Sequence, residues 1–175
     1  MAILVKKARL SFPNIFRPSA FSPDQPAKYS ATFILDSADP QLKVIREEID
    51  RVAKERWKGK TPKGLKLCLR DGSEKDLDGF GDGTVFFNAS NAKRPAVFDR
   101  DRSALVEEDG KPYAGCFVNA RIDLWAQDNA YGKRINATLL GLQFASDGES
   151  FGGGGSVAKA DDFDEVEEDE ADFLN

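Results

Sequence analysis

The sequence predicts a mainly β protein, a small closed barrel carrying one amphipathic helix and followed by a disordered acidic tail. Three observations lead there. Short runs with apolar residues at period 2 recur between Ala2 and Phe144, separated by turn-forming residues, the pattern of half-buried strands. One stretch, after Asp39, has helical spacing instead. Near residue 147 the composition breaks, and glycine and acid take over. Strands joined this way around a single helix favour a closed barrel over a layered α/β fold.

Strands are predicted at Ala2–Phe12, Lys28–Asp36, Thr84–Asn91, Pro95–Phe98, Gly115–Ala126 and Tyr131–Phe144. The helix starts with Asp39 as N-cap and Pro40 in the first helical position, where a missing N–H costs little. Leu42, Ile45, Ile49 and Val52 form its apolar stripe. Lys54, Arg56 and Lys58 suit the negative end of the helix dipole, and Gly59 stops it. The Gly59–Gly83 connection is long enough to expect a functional or mobile segment. In Gly115–Ala126, Cys116, Val118, Ala120, Ile122 and Leu124 make one face; Phe117, Asn119, Arg121, Asp123 and Trp125 make the other. Gln127–Ala130 reads as the hairpin loop that follows. Phe33, Phe87 and Phe144 are expected in the core.

The barrel is assigned to residues 1–146, a glycine-rich linker to 147–160 and the acidic tail to 161–175. Four consecutive glycines, Gly152 to Gly155, offer nothing to pack. The acid run Asp161 to Asp172 repels itself and buries too little to offset ordering. Of the 175 residues, 25 are basic and 30 acidic, a net charge of −5. From Lys159 onward one base stands against nine acids, so the remaining 158 residues carry 24 bases and 21 acids, or +3. A mildly basic body with an acidic end points towards nucleic acid. The competing explanation is a tail kept for solubility.

Several function classes drop out. The sequence has no histidine, which removes the Ser–His–Asp triad, the Cys–His pair and histidine zinc sites. Cys68 and Cys116 are too few and too far apart for a zinc cluster or a disulfide framework. Gly79–Gly83 lacks the Gly-Lys-Ser/Thr ending of a phosphate loop and precedes a strand, so a tight turn is expected. Asp76, Asp78 and Asp82 fail the calcium-loop pattern because Phe80 takes a ligand position. Asp99 and Asp101 could serve a metal-dependent nuclease, but their neighbours Arg100 and Arg102 favour neutralised surface pairs. No cofactor or metal is expected. The apolar run in Met1–Lys7 is too short for a secretory signal, and no segment is long enough to span a bilayer, so no membrane partner is expected.

What survives is a set of cations interleaved with aromatics on strand faces. Phe117, Arg121 and Trp125 share the polar face of one strand; Tyr131, Lys133 and Arg134 open the next. Lys93, Arg94, Phe98, Arg100 and Arg102 cluster upstream. Cations neutralise phosphates while flat side chains stack on unpaired bases, with little regard to sequence. The expected contacts are Lys93, Arg94, Phe98, Arg100, Arg121, Trp125, Tyr131, Lys133 and Arg134. Trp57, among four basic residues, fits either a core or a binding role.

An ordered series of segments carries a family resemblance. Tyr29-Ser-Ala-Thr-Phe-Ile-Leu35 leads into the Asp39-Pro40 helix, and Gly81-Asp-Gly-Thr84 launches a strand. Gly115-Cys-Phe-Val-Asn-Ala-Arg-Ile-Asp-Leu-Trp125, Ala130-Tyr-Gly-Lys133 and Leu139-Leu-Gly-Leu-Gln-Phe144 follow, then the glycine-rich and acidic segments with Phe163 and Phe173. The chain resembles phage-encoded single-stranded DNA-binding proteins of the OB-fold, acidic-tail type. That resemblance implies a five-stranded Greek-key barrel, here with the helix between strands 2 and 3. It implies a non-enzymatic, sequence-independent protein that protects and organises single strands in phage replication, recombination and repair, in the cytoplasm of an infected bacterium. It also implies a tail that competes for the DNA groove and presents Phe163, Phe173 and Leu174 to phage or host replication proteins such as a polymerase, helicase or primase. A homodimer and the choice between DNA and RNA are left open. The main alternative is a β-barrel adaptor whose acidic tail imitates DNA; it predicts an acidic body, and this one is +3.

Overall fold

Strand β1, Ala2–Ser19, is long enough to serve two neighbours. Its first half pairs antiparallel with β6 (Phe117–Asn129), from Ala2 opposite Asp123 to Arg9 opposite Phe117. Its second half pairs with β2 (Lys28–Asp36), from Arg9 opposite Ile34 to Ser19 opposite Lys28. Three register irregularities make the switch possible, and Lys7 (φ 54°) and Phe12 (φ 48°) stand at the first two in left-handed conformation. The sequence predicts an end at Phe12, before Pro13. The strand instead runs on through the bulge, which is where a strand tolerates proline.

This computed structural model describes residues 2–20, 22–151, 164 and 166. After β2 come α1 (Gln41–Trp57), β3 (Arg70–Asp71), β4 (Thr84–Asn91), β5 (Ala96–Phe98), β6 and β7 (Gly132–Ser146). The strand order is β3-β4-β2-β1-β6-β7-β5, and a parallel contact between Ser90 of β4 and Thr138 of β7 closes the sheet. Strands β1, β2, β4, β7 and β6 thus form a closed five-stranded barrel. The helix lies between the second and third of them in the chain. This is an OB-fold.

The helix forms as its spacing dictates. Asp39 accepts a hydrogen bond from the Gln41 N–H at 2.9 Å, and Pro40 is already helical at φ −63°. Leu42, Ile45, Ile49 and Val52 are buried as the stripe predicts. The break comes one residue before Gly59, because Lys58 itself turns left-handed (φ 51°) and donates its N–H to Lys54. Gln41 also pairs with the free edge of β1, accepting from the Lys6 N–H at 2.6 Å and donating to its carbonyl at 2.7 Å.

The alternating strand packs as predicted, with Cys116, Val118, Ala120, Ile122 and Leu124 all buried. Phe33 and Phe87 stack inside the barrel with ring centroids 5.1 Å apart, and Phe144 is buried too. The β6–β7 hairpin is tighter than expected. Asn129 pairs with Gly132, leaving Ala130 and Tyr131 as the turn, so Tyr131 stands at the tip rather than opening β7. Gly132 takes φ 119°, a value that favours glycine there.

The 59–83 connection lies against the barrel. Lys66 bonds to the edge of β7, β3 pairs with β4, and Gly81 donates to the Gly72 carbonyl at 3.0 Å. Gly79, Gly81 and Gly83 all have positive φ, as a run of tight turns requires. Beyond β7, residues 147–151 also lie on the barrel. Arg9 donates to the Glu149 carbonyl at 2.8 Å, its guanidinium sits 4.3 Å from the Phe151 ring centroid, and Phe151 donates to Ala114 at 3.1 Å. A Cβ at Gly115 (φ +105°) would strike the Glu149 carbonyl, so glycine permits this approach. Phe163, Phe173 and Leu174 lie outside the described residues. Among the described residues, no helix is long and apolar enough to cross a membrane.

Candidate nucleic-acid interface

Two adjoining clefts open on the outer face of the barrel. The larger, about 800 Å³, runs between the β1–β2 loop (Asp24, Gln25, Pro26) and the β6–β7 hairpin (Asn129, Tyr131). The other, about 470 Å³, continues along β2, β4 and β7 to Lys66, Cys68 and Arg70. They share Lys28, Ser30, Trp125, Gln127, Arg134 and Asn136. Cations in the combined walls are Lys28, Lys66, Arg70 and Arg134; Asp24 is the carboxylate. Arg70 is paired with Glu74 at 2.7 Å, whereas Lys28, Lys66 and Arg134 form no ion pair among the described residues.

Trp125 stands where the clefts meet, 43% exposed, on the face of β6 that alternation turns outward. Beside it, Asn136 donates to the Gln127 side chain at 2.8 Å, so the polar surface next to the indole is fixed. Tyr131 is 85% exposed at the hairpin tip, where the Asn129 side chain accepts its N–H at 2.9 Å. Such exposure has no packing purpose. The hairpin is tied to the helix end, since the Arg56 guanidinium and the Trp57 indole N–H both donate to Asp128, at 3.2 and 3.1 Å. Trp57 therefore positions the hairpin from a half-buried site.

The structure brings together some of the sequence-predicted contacts and separates others. Trp125, Tyr131 and Arg134 line the clefts, and exposed Lys133 flanks them. Arg121 lies further along β6, between Leu4 and Gly141 on neighbouring strands. Lys93 and Arg94 follow β4, with the Arg94 guanidinium 5.6 Å from the Phe16 ring centroid. Phe98 pairs with Gln143, and Arg100 lies 5.7 Å from the Phe144 ring, both away from the cleft walls. The 99–103 loop keeps its carboxylates occupied. Lys111, at 2.9 Å, and the Arg100 N–H hold the Asp99 carboxyl below its usual range, and Ser103 does the same for Asp101. Among the described residues no group of three or more Cys, Asp or Glu side chains is placed to hold a metal.

Sequence reasoning missed Lys28, Lys66, Arg70 and the polar floor of Ser30, Asn88 and Ser90. Lys66 and Arg70 sit in the long connection, whose length was the available signal. Cys68 is the thiol of this cleft, and burial pushes it up to about 11.

Comparison with known proteins places this architecture. A family model described as Enterobacter phage Enc34, ssDNA-binding protein, matches residues 1–174. The chain belongs to the Enc34 single-stranded DNA-binding family. Protein p50 of Acyrthosiphon pisum secondary endosymbiont phage 1 is 38% identical over 182 residues, covering 97% of this chain and 98% of that protein. Within the Enc34 family, the single-stranded DNA-binding protein from bacteriophage Enc34 in complex with ssDNA superposes with TM-score 0.77 at 31% identity. That match covers 86% of this chain and 89% of the other. The single-stranded DNA-binding protein gp2.5 of bacteriophage T7 shares the fold, with TM-score 0.53 and 16% identity over 94% of this chain and 98% of that one.

Proposed function

We propose that this protein binds single-stranded DNA without regard to sequence and acts as a non-enzymatic component of phage DNA replication, recombination and repair in the infected cell. The observation that carries the reading is Trp125, an exposed indole set between Arg134, Lys66 and Lys28 in an open cleft. An indole stacks on any base, and cations track any backbone, so the combination is tolerant of sequence. The cleft lies on the face and between the loops that OB-folds use for oligonucleotides. The Enc34 relative solved with ssDNA supports the same ligand.

Lys93, Arg94, Arg121, Lys133, Phe98 and Arg100 fit a second tier of contacts, outside the cleft. The acidic tail competes with DNA for the cleft and offers Phe163, Phe173 and Leu174 to replication proteins. Fluorescence titration with oligonucleotides of DNA and RNA at two salt concentrations tests the central claim. Trp125 emission is expected to be quenched, and affinity to fall steeply with salt. A flat salt response, or duplex bound as tightly as single strand, would overturn the reading.

A further inference from the structure

The outer face of β2 and β4 extends past the clefts. Along β2, alternation turns Lys28, Ser30, Thr32 and Ile34 outward, and on β4 Ser90, Asn88 and Phe86 oppose the last three. The first rows are polar and floor the cleft; Thr32 donates to the Asn88 side chain at 2.5 Å. The last row changes character. Ile34 and Phe86 face away from the barrel interior, yet they are only 5% and 1% exposed.

Residues of the long connection cover them. Phe80 meets Phe86 edge-on, with centroids 5.1 Å apart at 81°, and the Arg70 guanidinium sits 5.2 Å from the Phe86 ring. Phe12 is the outermost member of this small cluster, 6.5 Å from Phe80 and 56% exposed. Its backbone has φ +48°, a conformation that a bulky residue adopts only under constraint. Core packing does not account for a strained, half-naked aromatic. The bulge in β1 sets this backbone, and it re-aims the ring outward against Phe80 instead of into the core. Arg70 joins the two regions, because it lines the cleft wall and also touches the aromatic cluster.

We propose that Phe12 is a second base-stacking platform. The bound strand then runs from Tyr131 and Trp125, over Ser30 and Asn88, to Phe12 and Arg70. In register Phe12 falls between Ser11, opposite Thr32, and Asn14, opposite Ser30, with its ring turned to Phe80; it stands on β1 and Trp125 on β6, so the two rings take separate bases. This inference rests on the cleft binding single-stranded DNA, and its test separates the two.

The test compares oligothymidylates of about 4 and about 12 nucleotides, lengths within the range one OB-fold can hold. Phe12→Leu keeps an apolar side chain against Phe80 but has no ring face; Phe12→Trp restores one. Phe12→Leu is expected to weaken binding of the longer oligonucleotide about tenfold, leave the shorter one unchanged and keep the melting temperature. Phe12→Trp is expected to recover the loss. Wild-type affinity of Phe12→Leu for the longer oligonucleotide overturns the proposal. Equal loss on both lengths also overturns it, because Phe12 would then be shaping the cleft and not holding its own base. Trp125→Ala is the control for the cleft, expected to weaken both lengths; if it weakens neither, the cleft reading fails by itself, whatever Phe12 does.

Discussion

Lys66 and Arg134 lie side by side across a parallel bridge in which a single residue of the long connection is stitched to the edge of β7. The Lys66 N–H donates to the Lys133 carbonyl at 3.1 Å, and the Ile135 N–H donates to the Lys66 carbonyl at 2.9 Å. Residues nearly seventy apart in the chain thus present two cations in one cleft wall. Each is expected to neutralise a phosphate. Lys66→Ala and Arg134→Ala should each make the log–log salt dependence of binding shallower by about 0.7, and the double variant by about 1.4. Arg51→Ala, on the helix surface beside Glu48 and Glu55, serves as control and should leave the slope unchanged. Unaltered slopes in both cleft variants would remove these cations from the site.

Trp125 and Tyr131 separate stacking from packing. Both are exposed, so truncation to alanine should leave the fold intact and weaken single-strand binding by about 1–3 kcal/mol each. A buried aromatic would behave otherwise, losing roughly 3–5 kcal/mol of stability. Affinity and melting temperature measured on the same two variants decide between them.

The barrel was legible because its strands obey period 2 and its helix obeys its apolar stripe. Val118, Ile122, Ile45 and Ile49 could each be assigned to the core from spacing alone. The candidate cleft was only half legible. Trp125, Tyr131 and Arg134 are close in sequence and sit on one hairpin, so local pattern found them together. Lys66 and Arg70 belong to a segment with no periodicity, and only the backbone bonds of Lys66 to β7 show where they go. Phe98 and Arg100 look equivalent to the hairpin residues in composition, but β5 pairs at the other stretch of β7, beside Gln143. Phe12 was hidden because Pro13 suggests that the strand ends, and a bulge leaves no sign in hydrophobic pattern.

Cys68 offers a readout of cleft occupancy without substitution. Its thiol, pushed up to about 11 by burial, is almost wholly protonated at neutral pH. Alkylation by iodoacetamide at pH 8 should be roughly two orders of magnitude slower than for an ordinary thiol, because the thiolate is the nucleophile. The rate should climb as pH approaches 11, and single-stranded DNA should lower it further, since Cys68 lines the cleft. Cys116, fully buried in the core, should not react while the protein is folded. Fast labelling of Cys68 that DNA leaves unchanged would place the ligand elsewhere.

Tail deletion tests the regulatory half of the proposed function. Among the described residues the last contact of the chain with the barrel is at Phe151, held by Arg9 and Ala114, and 24 residues follow. A flexible coil of that length spans on the order of 30 Å, comparable to the width of a small barrel. Tethering sets a local concentration on the order of millimolar, so even weak attraction between its carboxylates and the cations of the cleft would be populated. Single-stranded DNA should displace it and free Phe163, Phe173 and Leu174 for a polymerase, helicase or primase, with charge steering the encounter and apolar side chains anchoring it. Removing residues 160–175 should tighten DNA binding, most visibly at low salt where screening is weak. The same deletion should abolish capture of replication proteins, and Phe173→Ala should impair capture while barely changing DNA affinity. A tail kept for solubility predicts neither effect, only aggregation when it is removed. Equal DNA affinity of full-length and truncated protein at every salt concentration, with partners retained, would leave solubility as its role.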